Sequence, residues 1–511
     1  MQLPEQNIDN MCDIVLIYPP WPVLADRAML QNSLPPLGIL SIASYLETIG
    51  HKVKVIDVHA ERLSEEELRR RLRKAKPAWI GISVLTNMVI PAHKIARCCK
   101  EELKNCTVVV GGVHAEVMPE RMLRNSAIDR VVRGDGEEAM KELMEGVPLD
   151  EIDGISFREG DRIVHNQARK INMDLDKYPF PAYHLVNLDN YFPAAGSYRD
   201  LPAINMLATR GCPGQCVFCN SARTVLRTRS AKRLADQITL LREKYNIRQI
   251  QFYDDTFTVL KRNVLELCRI LKERNLDIHW LAFIRGDTFS EEMAAAMKAA
   301  GCHQVKIGVE TGSRKIAENI GKPISKERYK KAVRIAHKYK LEVNGSFIVG
   351  NIGETVETMQ ETLDFAKELD IDIFRLSINT PYPGTALYTE AVRKGMLKHK
   401  NWYRYGQEEV LIEQPQITEE EIYQFVRRAY REFYLRPVMI YRLFKRMFHL
   451  RHLRDFFLAG YILLLGKHRW GKSRNLDCWR SLKEEDFLDL RLEAEEDKLR
   501  LTHEVRERIA V

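Results

Sequence analysis

Three closely spaced cysteines are the residues of this chain best suited to chemistry. Cys212, Cys216 and Cys219 form a C-x3-C-x2-C pattern. Thiolates in this arrangement bind a metal, and a 4Fe–4S cluster held by three of them leaves one iron open to a small molecule. The spacing alone leaves two alternatives open: a zinc site completed by a distant histidine, and three unrelated reduced thiols.

The residues around these cysteines resemble the signature of the radical S-adenosylmethionine superfamily. Arg210-Gly211 precedes the first cysteine, and Phe218-Cys219-Asn220 ends the motif. The resemblance implies a 4Fe–4S cluster, S-adenosylmethionine bound to its fourth iron through amino and carboxylate groups, and Phe218 beside these cofactors. One electron, from a donor such as flavodoxin or ferredoxin, then releases a 5′-deoxyadenosyl radical that removes hydrogen from an unactivated position. Such a radical requires an enclosed site and a substrate held close.

Several later stretches match the same superfamily in order along the chain. Residues 252–257 stand where the family often has Gly-Gly-Glu. Their carboxylates would meet the ammonium group of S-adenosylmethionine. Arg285 would meet the carboxylate group of the same cofactor. Residues 308–313 resemble Gly-x-Glu-Ser-Gly-Ser, which would put Glu310 beside the methionine or the ribose. Residues 347–355 resemble the family's Gly-x-Pro-Gly-Glu-Thr stretch near the adenine, with Ile352 in place of the usual proline. The expected S-adenosylmethionine contacts are Tyr253, Asp254, Asp255, Arg285, Gly308, Glu310 and Gly350.

Two sets of alternating strands and helices have to position these groups. Apolar strand segments alternate with helices about six times between 203 and 395, which predicts a full or partial parallel β/α barrel. The cysteines follow the first of these strands, at the face where barrel active sites are built. Residues 13–145 alternate in the same way and predict a doubly wound parallel sheet, so the fold class is α/β. Ligands of such sheets bind beyond the carboxyl ends of the strands.

A doubly wound domain ahead of a radical barrel resembles the cobalamin-binding subgroup of the superfamily. The stretches that carry the resemblance are 35–38, 83–86, 111–114 and 134–137. Their glycines let backbone approach a bulky ligand tail closely, and their hydroxyls can bond it. The resemblance implies bound cobalamin and radical methylation of an unactivated carbon, with a second S-adenosylmethionine re-methylating the cobalt. The expected cobalamin contacts are Ser83, Thr86, Gly111, Gly112, Gly134, Gly136 and Glu137.

One departure from the subgroup concerns the cobalt ligand. Some cobalamin domains supply a histidine from Asp-x-His-x-x-Gly after the first strand, but here that loop carries Pro19-Pro20. His59 follows the second strand instead, and Arg62 stands at the glycine position. We interpret His59 as a loop histidine, so that cobalamin would lack a histidine lower ligand. The alternative is a domain that holds no cobalamin and only covers the barrel.

The chain divides into four predicted parts, which are 10–145, a connector 146–200, a barrel 201–400 and a helical region 401–511. The net charge of +9 is local, because residues 434–474 alone carry ten Lys or Arg and a single Asp. An apolar run within this segment is too short to span a bilayer. Two interpretations stay open: a helix on a membrane surface, and a helix packed on the barrel with a solvated basic face. Nucleic-acid binding is not favoured, because no RNA-binding domain is evident.

Composition and the first residues narrow the class of protein. With 511 residues, of which 45% are hydrophobic and 29% charged, the chain is neither a disordered protein nor a polytopic membrane protein. The N-terminus lacks a secretory signal, which predicts a cytoplasmic enzyme, peripheral at a membrane if 434–474 binds one, with reduced thiols. The expected substrate is a small molecule or a lipid-like molecule, and no residue is singled out as catalytic. Two other functions remain as alternatives: radical cyclisation or rearrangement without cobalamin methyl transfer, and a non-catalytic zinc-binding interaction protein.

Overall fold

The first part of the chain folds into one sheet covered by helices. The structure, a computed structural model, describes residues 11–21, 33–194, 196–323, 325–399, 401–447 and 479. The strands of the first sheet are β1 (Ile14–Tyr18), β2 (Val53–Asp57), β3 (Trp79–Ser83), β4 (Thr107–Gly111), β5 (Arg130–Val132), β6 (Ile155–Glu159) and β7 (Arg162–His165). The helices are α1 (Leu37–Thr48), α2 (Glu65–Ala75), α3 (Val89–Glu102), α4 (Val113–Val117), α5 (Pro119–Arg124) and α6 (Gly136–Met144).

Parallel pairing gives this sheet the doubly wound form that the sequence predicts. The first five strands run parallel in the order β2-β1-β3-β4-β5. Helices cover both faces, so β1 and β4 are continuous apolar runs of Ile, Val and Leu with both faces buried. The strand order reverses at β1, which leaves a crevice at the carboxyl ends of β1 and β3.

The hairpin β6–β7 lies in the predicted connector. Its first strand pairs antiparallel with β5, with Ile155 opposite Val132. The hairpin therefore extends the first sheet to seven strands. The four-part division of the chain stays a prediction.

The second sheet is a partial barrel, which confirms the predicted barrel fold. The strands of this region are β8 (Ala203–Met206), β9 (Thr209–Arg210), β10 (Arg227–Thr228), β11 (Gln249–Phe252), β12 (His279–Ile284), β13 (Cys302–Glu310), β14 (Glu342–Val349) and β15 (Ile373–Ile378). The helices are α7 (Ala231–Tyr245), α8 (Lys261–Glu273), α9 (Glu291–Ala299), α10 (Arg314–Asn319), α11 (Lys326–Lys338), α12 (Val356–Glu368) and α13 (Ala386–Arg393). Six parallel strands run in the order β8-β11-β12-β13-β14-β15. A separate ribbon pairs β9 with β10 antiparallel.

Strand alternation gives the barrel an apolar outer face and a polar lumen. Side chains such as Phe252 and Trp280 pack against the helices in the apolar core. Residues at the alternate positions face the lumen, and many are polar: Asn205, Gln251, Gln304, Lys306, Asn344 and Arg375. The strand register puts Phe283, Lys306 and Asn344 at one level of the lumen.

In the described part of the chain, two more helices follow the barrel. They are α14 (Glu419–Tyr434) and α15 (Pro437–Met447). Thr418 and Glu421 form a capping box at the start of α14. Most of the basic segment 434–474 lies outside the described residues. Trp479 is buried and donates a 2.9 Å bond from Nε1 to the Leu63 carbonyl. None of the helices in the described ranges has the length and apolar character that crossing a bilayer requires.

Helix α14 closes the side of the barrel at its last strand. Phe433 of this helix stacks on Phe374 of β15, with 4.7 Å between the ring centroids. The Tyr430 and Tyr434 hydroxyls bond backbone groups of the same strand. These contacts satisfy polar backbone atoms of the edge strand, so β15 does not need a seventh barrel strand beside it.

Candidate active site

The three cysteines lie on a loop that leaves the barrel after β8 and returns through the β9–β10 ribbon. Gly211 begins this loop at φ +88°, and a Cβ there would lie 2.2 Å from the Val225 carbonyl oxygen, so only glycine fits. The Cys212 N–H donates to Thr224 Oγ1 at 2.9 Å. Phe218, the other expected contact on this loop, is half-buried. The loop is thus fixed at its base at the carboxyl end of the barrel.

The surroundings of the cysteines supply positive charge and backbone donors. Burial raises the pKa of Cys216, and the nearby cations Lys322 and Arg285 oppose that rise. Burial also raises the pKa of Cys219. The Cys212 Sγ accepts a 3.4 Å bond from a backbone N–H of the loop. Three thiols beside two cations and a backbone donor fit an iron–sulfur cluster, whose properties depend on such outer contacts.

A single-ion site is not formed by these side chains. Among the residues that the structure describes, no group of three or more His, Cys, Asp or Glu side chains is placed to hold one metal ion. A 4Fe–4S cluster makes a different demand, because each cysteine binds a separate iron of the cluster. The donor set of the loop therefore matches a cluster ligand set.

A cavity of about 290 Å³ opens beside the cysteine loop. Cys216 lines it together with the cationic side chains Arg285, Lys322 and Arg328. Arg285 is held by Asp287, whose carboxylate accepts bonds of 3.0 and 2.9 Å from the guanidinium. A guanidinium fixed in this way can bind a second carboxylate with its remaining N–H groups. The cavity fits the amino acid part of S-adenosylmethionine.

Glu310 and Lys322 form a buried ion pair next to this cavity. Glu310 lies at a bulge of β13 with φ +67°, and its carboxylate is 2.7 Å from Lys322 Nζ. Lys322 also donates to the Gly308 carbonyl at 2.7 Å. A Cβ on Gly308 would lie 2.3 Å from the Glu310 carboxylate, so this glycine makes room for the ion pair. Sequence reasoning missed Lys322, because only the fold brings it to Glu310.

Three expected contacts follow β11, and their side chains have different surroundings. They are Tyr253, Asp254 and Asp255. Asp254 is buried and accepts a 2.7 Å bond from the Thr209 hydroxyl. Burial raises the pKa of Asp254 to about 7. Thr209, the partner of Asp254, lies at the base of the cysteine loop. Asp255 lies near Cys219, and its negative charge adds to the effect of burial in raising the pKa of that thiol. Tyr253 turns into the barrel lumen. Of these three expected contacts, Asp255 is the one placed beside the cysteines.

The turn expected near the adenine is held by side chains. Gly350 takes φ +78° after β14. The Asn351 backbone N–H and side-chain amide both donate to the Glu354 carboxylate, at 2.8 and 2.9 Å, and Gln414 donates to the Asn351 carbonyl at 2.9 Å. Burial raises the pKa of Glu354 to about 7. These bonds supply rigidity at a turn where Ile352 occupies the position of the family's usual proline.

A larger cavity of about 410 Å³ lies between the first sheet and the barrel. Residues of β1, β3, β4 and α6 line it, and it reaches Thr209 and Arg210 just before the cysteine loop. The expected cobalamin contacts that line it are Ser83, Gly111, Gly112, Gly134, Gly136 and Glu137. Thr86 lies elsewhere, with its hydroxyl 3.2 Å from His114 Nδ1 in a buried cluster. One side of this cavity is thus the switch point of the doubly wound sheet.

The lining of the larger cavity fits a bulky cofactor tail. A Cβ on Gly136 would come within 2.7 Å of Ile42, whereas a Cβ on Gly134 would meet no atom within 4 Å. The glycines leave the backbone of this wall without side chains, so that a ring can approach it closely. No histidine is among the described residues that line the cavity. His59 lies in the turn after β2, with its ring 5.4 Å from that of Trp21. The cavity fits cobalamin without a histidine ligand.

An ion-pair network joins the first sheet to the ribbon at the base of the cysteine loop. Arg210 lies two residues before Cys212 and pairs with Asp135 at 3.0 Å and with Glu137 at 2.7 Å. Arg227, on the facing strand of the ribbon, pairs with Asp135 at 2.5 Å. Glu137 thus lines the larger cavity, and its carboxylate bonds Arg210 of the barrel. We call this contact between the first sheet and the barrel the Arg210 junction. The sequence motifs do not reveal this pairing, since its partners lie far apart in the chain.

Known protein families match both halves of the chain. Residues 206–366 match the Radical SAM superfamily, and residues 24–144 match the B12 binding domain. The chain is 37% identical over 435 residues to the uncharacterized methyltransferase PH0819 of Pyrococcus horikoshii, covering 84% of this chain and 93% of that protein. It is 28% identical over 471 residues to cytidylyl-2-hydroxyethylphosphonate methyltransferase of Streptomyces wedmorensis, covering 79% of this chain and 88% of that protein.

Solved structures share the fold. TsrM from Kitasatospora setae, a radical S-adenosylmethionine methyltransferase with cobalamin and a [4Fe-4S] cluster bound, superposes with a TM-score of 0.63 at 19% identity, covering 76% of each chain. The cobalamin-dependent S-adenosylmethionine radical enzyme OxsB, with aqua-cobalamin bound, gives a TM-score of 0.67 at 17% identity. That match covers 97% of this chain and 81% of OxsB. At these identities the likeness extends to the fold alone.

The cysteine loop yields a direct test of the cluster ligands. Cys216→Ala, purified without oxygen, should lose most of its iron and of the EPR signal that appears on reduction, because the cluster would keep only two thiolates. Cys268→Ala is the matched control, since Cys268 is a buried cysteine of α8 that packs in the apolar core. The control should keep both properties. Wild-type iron content in Cys216→Ala would contradict the assignment.

Buried Glu354 should make the stability of the turn depend on pH. Its folded-state pKa of about 7 lies above the ordinary 4.5, so between these values the folded chain keeps a proton that the unfolded chain has lost. Stability therefore falls as pH rises through this window, and Glu354→Gln should remove that loss in urea unfolding curves. Glu357→Gln is the control, because Glu357 is exposed and its pKa is lowered. A constant difference between wild type and Glu354→Gln across the window would contradict the account.

Proposed function

This chain belongs to the family of cobalamin-dependent radical S-adenosylmethionine methyltransferases, and from that premise we propose that it methylates an unactivated carbon of a small molecule. One observation carries the proposal: the cavity of the first sheet reaches Thr209 and Arg210, directly before the cysteine loop. A substrate in the space between the two sites would be accessible from both sides. Holding the reacting groups in one enclosed space is what radical chemistry demands of the protein.

The family's cofactors supply the difficult chemistry. When bound, the 4Fe–4S cluster and S-adenosylmethionine supply a 5′-deoxyadenosyl radical, and cobalamin supplies the methyl group. We propose that Cys212, Cys216 and Cys219 hold the cluster. Lys322 and Arg285 would balance the negative charge of the thiolates, since both act electrostatically on Cys216. The protein contributes binding, orientation and shielding from water.

The side chains beside the cysteines would orient S-adenosylmethionine. Arg285 would hold the carboxylate with the edge of its guanidinium that Asp287 leaves open. Asp255 would accept bonds from the ammonium, because it lies on the Cys219 side of the loop. The Glu310 carboxylate would face the ribose while Lys322 holds it in place through their 2.7 Å contact. In these roles the Arg285 guanidinium would face the carboxylate of S-adenosylmethionine, and the Asp255 carboxylate would face its ammonium.

The first sheet would hold cobalamin from the opposite side. The Ser83 hydroxyl and the glycine-lined wall of the 410 Å³ cavity would receive the tail. The apolar core beneath the sheet keeps this wall rigid, because β3 and β4 are buried on both faces. The pairing of Glu137 with Arg210 would keep the cofactor face of the sheet directed at the barrel.

Further partners are proposals of the same kind. A small-molecule substrate accords with the family, and an electron donor such as flavodoxin or ferredoxin would reduce the cluster. Membrane-surface contact through 434–474 stays a prediction, because most of that segment lies outside the described residues. At its described end the chain exposes the apolar side chains of Leu435, Val438 and Ile440.

Labelled S-adenosylmethionine tests the proposed reaction. The reconstituted enzyme, incubated without oxygen with a reductant, cobalamin and methyl-deuterated S-adenosylmethionine, should transfer the labelled methyl group to a metabolite of the cell extract and release 5′-deoxyadenosine. Mass spectrometry measures both products. Leaving out cobalamin should abolish methyl transfer. A changed but unlabelled metabolite would instead support cyclisation or rearrangement, and methyl transfer that is unaffected by cobalamin would contradict the proposal.

The cobalamin cavity can be filled without altering the barrel. Gly111 lines the cavity, and a Cβ there would lie 3.6 Å from the nearest atom, an ordinary contact. Gly111→Leu should therefore fold and weaken cobalamin binding by at least about tenfold, or about 1.4 kcal/mol, in equilibrium dialysis. Iron content should not change. Gly406→Leu is the control, because a Cβ on Gly406 would meet no atom within 4 Å and the residue lies outside the cavity. Unchanged affinity in Gly111→Leu would contradict the assignment.

A further inference from the structure

A layer of polar side chains in the barrel lumen has no hydrogen-bond partners within the described part of the chain. Lys306 of β13 and Asn344 of β14 are register neighbours, and both point inward because their sequence neighbours pack against the outer helices. On the same strand, Lys306 lies two residues before Gly308, so this layer is about 7 Å below the level of the cysteine-side cavity. The two residues therefore face the space into which a substrate under S-adenosylmethionine would extend.

Lys306 is a buried cation with no anion beside it. The side chain is 4% exposed. Its Nζ lies 5.0 Å from the ring centroid of Tyr253 and 5.1 Å from that of Phe283, and no described residue offers it a hydrogen bond or an ion pair. Burial, followed by the charge of Arg375, lowers the pKa of Lys306 to about 7. An ammonium in this position is unfavourable unless an acceptor arrives.

Asn344 presents a second unsatisfied group at the same level. It is fully buried, and neither its amide nitrogen nor its amide oxygen has a partner among the described residues. One layer below, Gln251 and Gln304 bond the backbone of the connector through their amide nitrogens, which closes the lower end of the lumen. The Lys306 layer thus lies directly above a closed floor of polar side chains.

Resting on the proposed function, we propose that Lys306 and Asn344 bind an oxyanion of the substrate, a carboxylate or a phosphate. The ammonium would pair with the anion, and the Asn344 amide would donate to it and accept from a neighbouring hydroxyl or amine. Tyr253 and Phe283 would flank the adjoining part of the molecule. The substrate class that fits is a compact polar acid. A lipid chain does not fit, because it would leave every one of these groups unpaired.

A fractionated cell extract tests this substrate class. The extract is divided into a fraction retained on an anion exchanger, the unretained aqueous fraction and an organic-solvent fraction of neutral lipids, and each is offered to the holoenzyme with methyl-deuterated S-adenosylmethionine. The labelled acceptor should be in the retained fraction. Treating that fraction with phosphatase distinguishes the two sources of charge, because loss of acceptance identifies a phosphate and persistence a carboxylate. An acceptor found only in the lipid fraction or in the unretained aqueous fraction would overturn the oxyanion site and leave the proposed methyl transfer intact, whereas no labelled acceptor in any of the three fractions would overturn both.

Variants connect that acceptor to Lys306. Lys306→Met should raise the KM for the retained fraction at least tenfold and leave uncoupled 5′-deoxyadenosine release and iron content near wild type, which also shows that the variant folds. Asn344→Leu should raise the KM by a smaller factor. Lys331→Met is the matched control, because Lys331 is an exposed lysine of α11, and its KM should not change. A wild-type KM in Lys306→Met would mean that ordered water alone satisfies the layer, and the proposal would be wrong.

Discussion

The ion pairs of Arg210 connect the two halves of the molecule where the chemistry has to occur. The guanidinium bonds Asp135 and Glu137 at the start of α6, and two residues later the chain reaches Cys212. Glu137 is 2% exposed, so loss of Arg210 would leave a buried charge without its partner, which costs about 3–5 kcal/mol. This pairing sets the face of the first sheet against the cysteine loop. A shared space between the two cofactor sites depends on that junction.

Within the barrel, side chains that stabilise the fold alternate along each strand with side chains that are available for chemistry. The outward side chains form one apolar layer with the helices, as Phe252 and Trp280 show, and they need no partner in the lumen. The inward side chains are then free to be polar, which would be unfavourable in a sheet packed on both faces. The result is a graded lumen: a closed polar floor, an unpaired layer at Lys306, and a charged rim at Arg285 and Lys322. A radical formed at the rim would face a substrate held from below.

Local sequence patterns predict much of the fold and of the cysteine site. The cysteine motif and the strand segments follow from patterns that neighbouring residues create, and the predicted alternation of strands and helices over 13–145 and 203–395 agrees with the structure. The orientation of single side chains was not predictable in the same way. Asp254 stands at a strand end like any ligand, yet it bonds Thr209, which follows the neighbouring strand β8. The pair of Glu310 with Lys322 likewise depends on a bulge that no spacing reveals.

We propose that the cluster and cobalamin face one space across the Arg210 junction, so the distance between them is the quantity to measure. Pulsed EPR on protein that holds both a reduced cluster and the paramagnetic Co(II) form of cobalamin measures it most directly, because two electron spins interact only when they are close. We expect a strong dipolar interaction between the two signals, absent in Cys216→Ala. Two full signals with no interaction between them would contradict it.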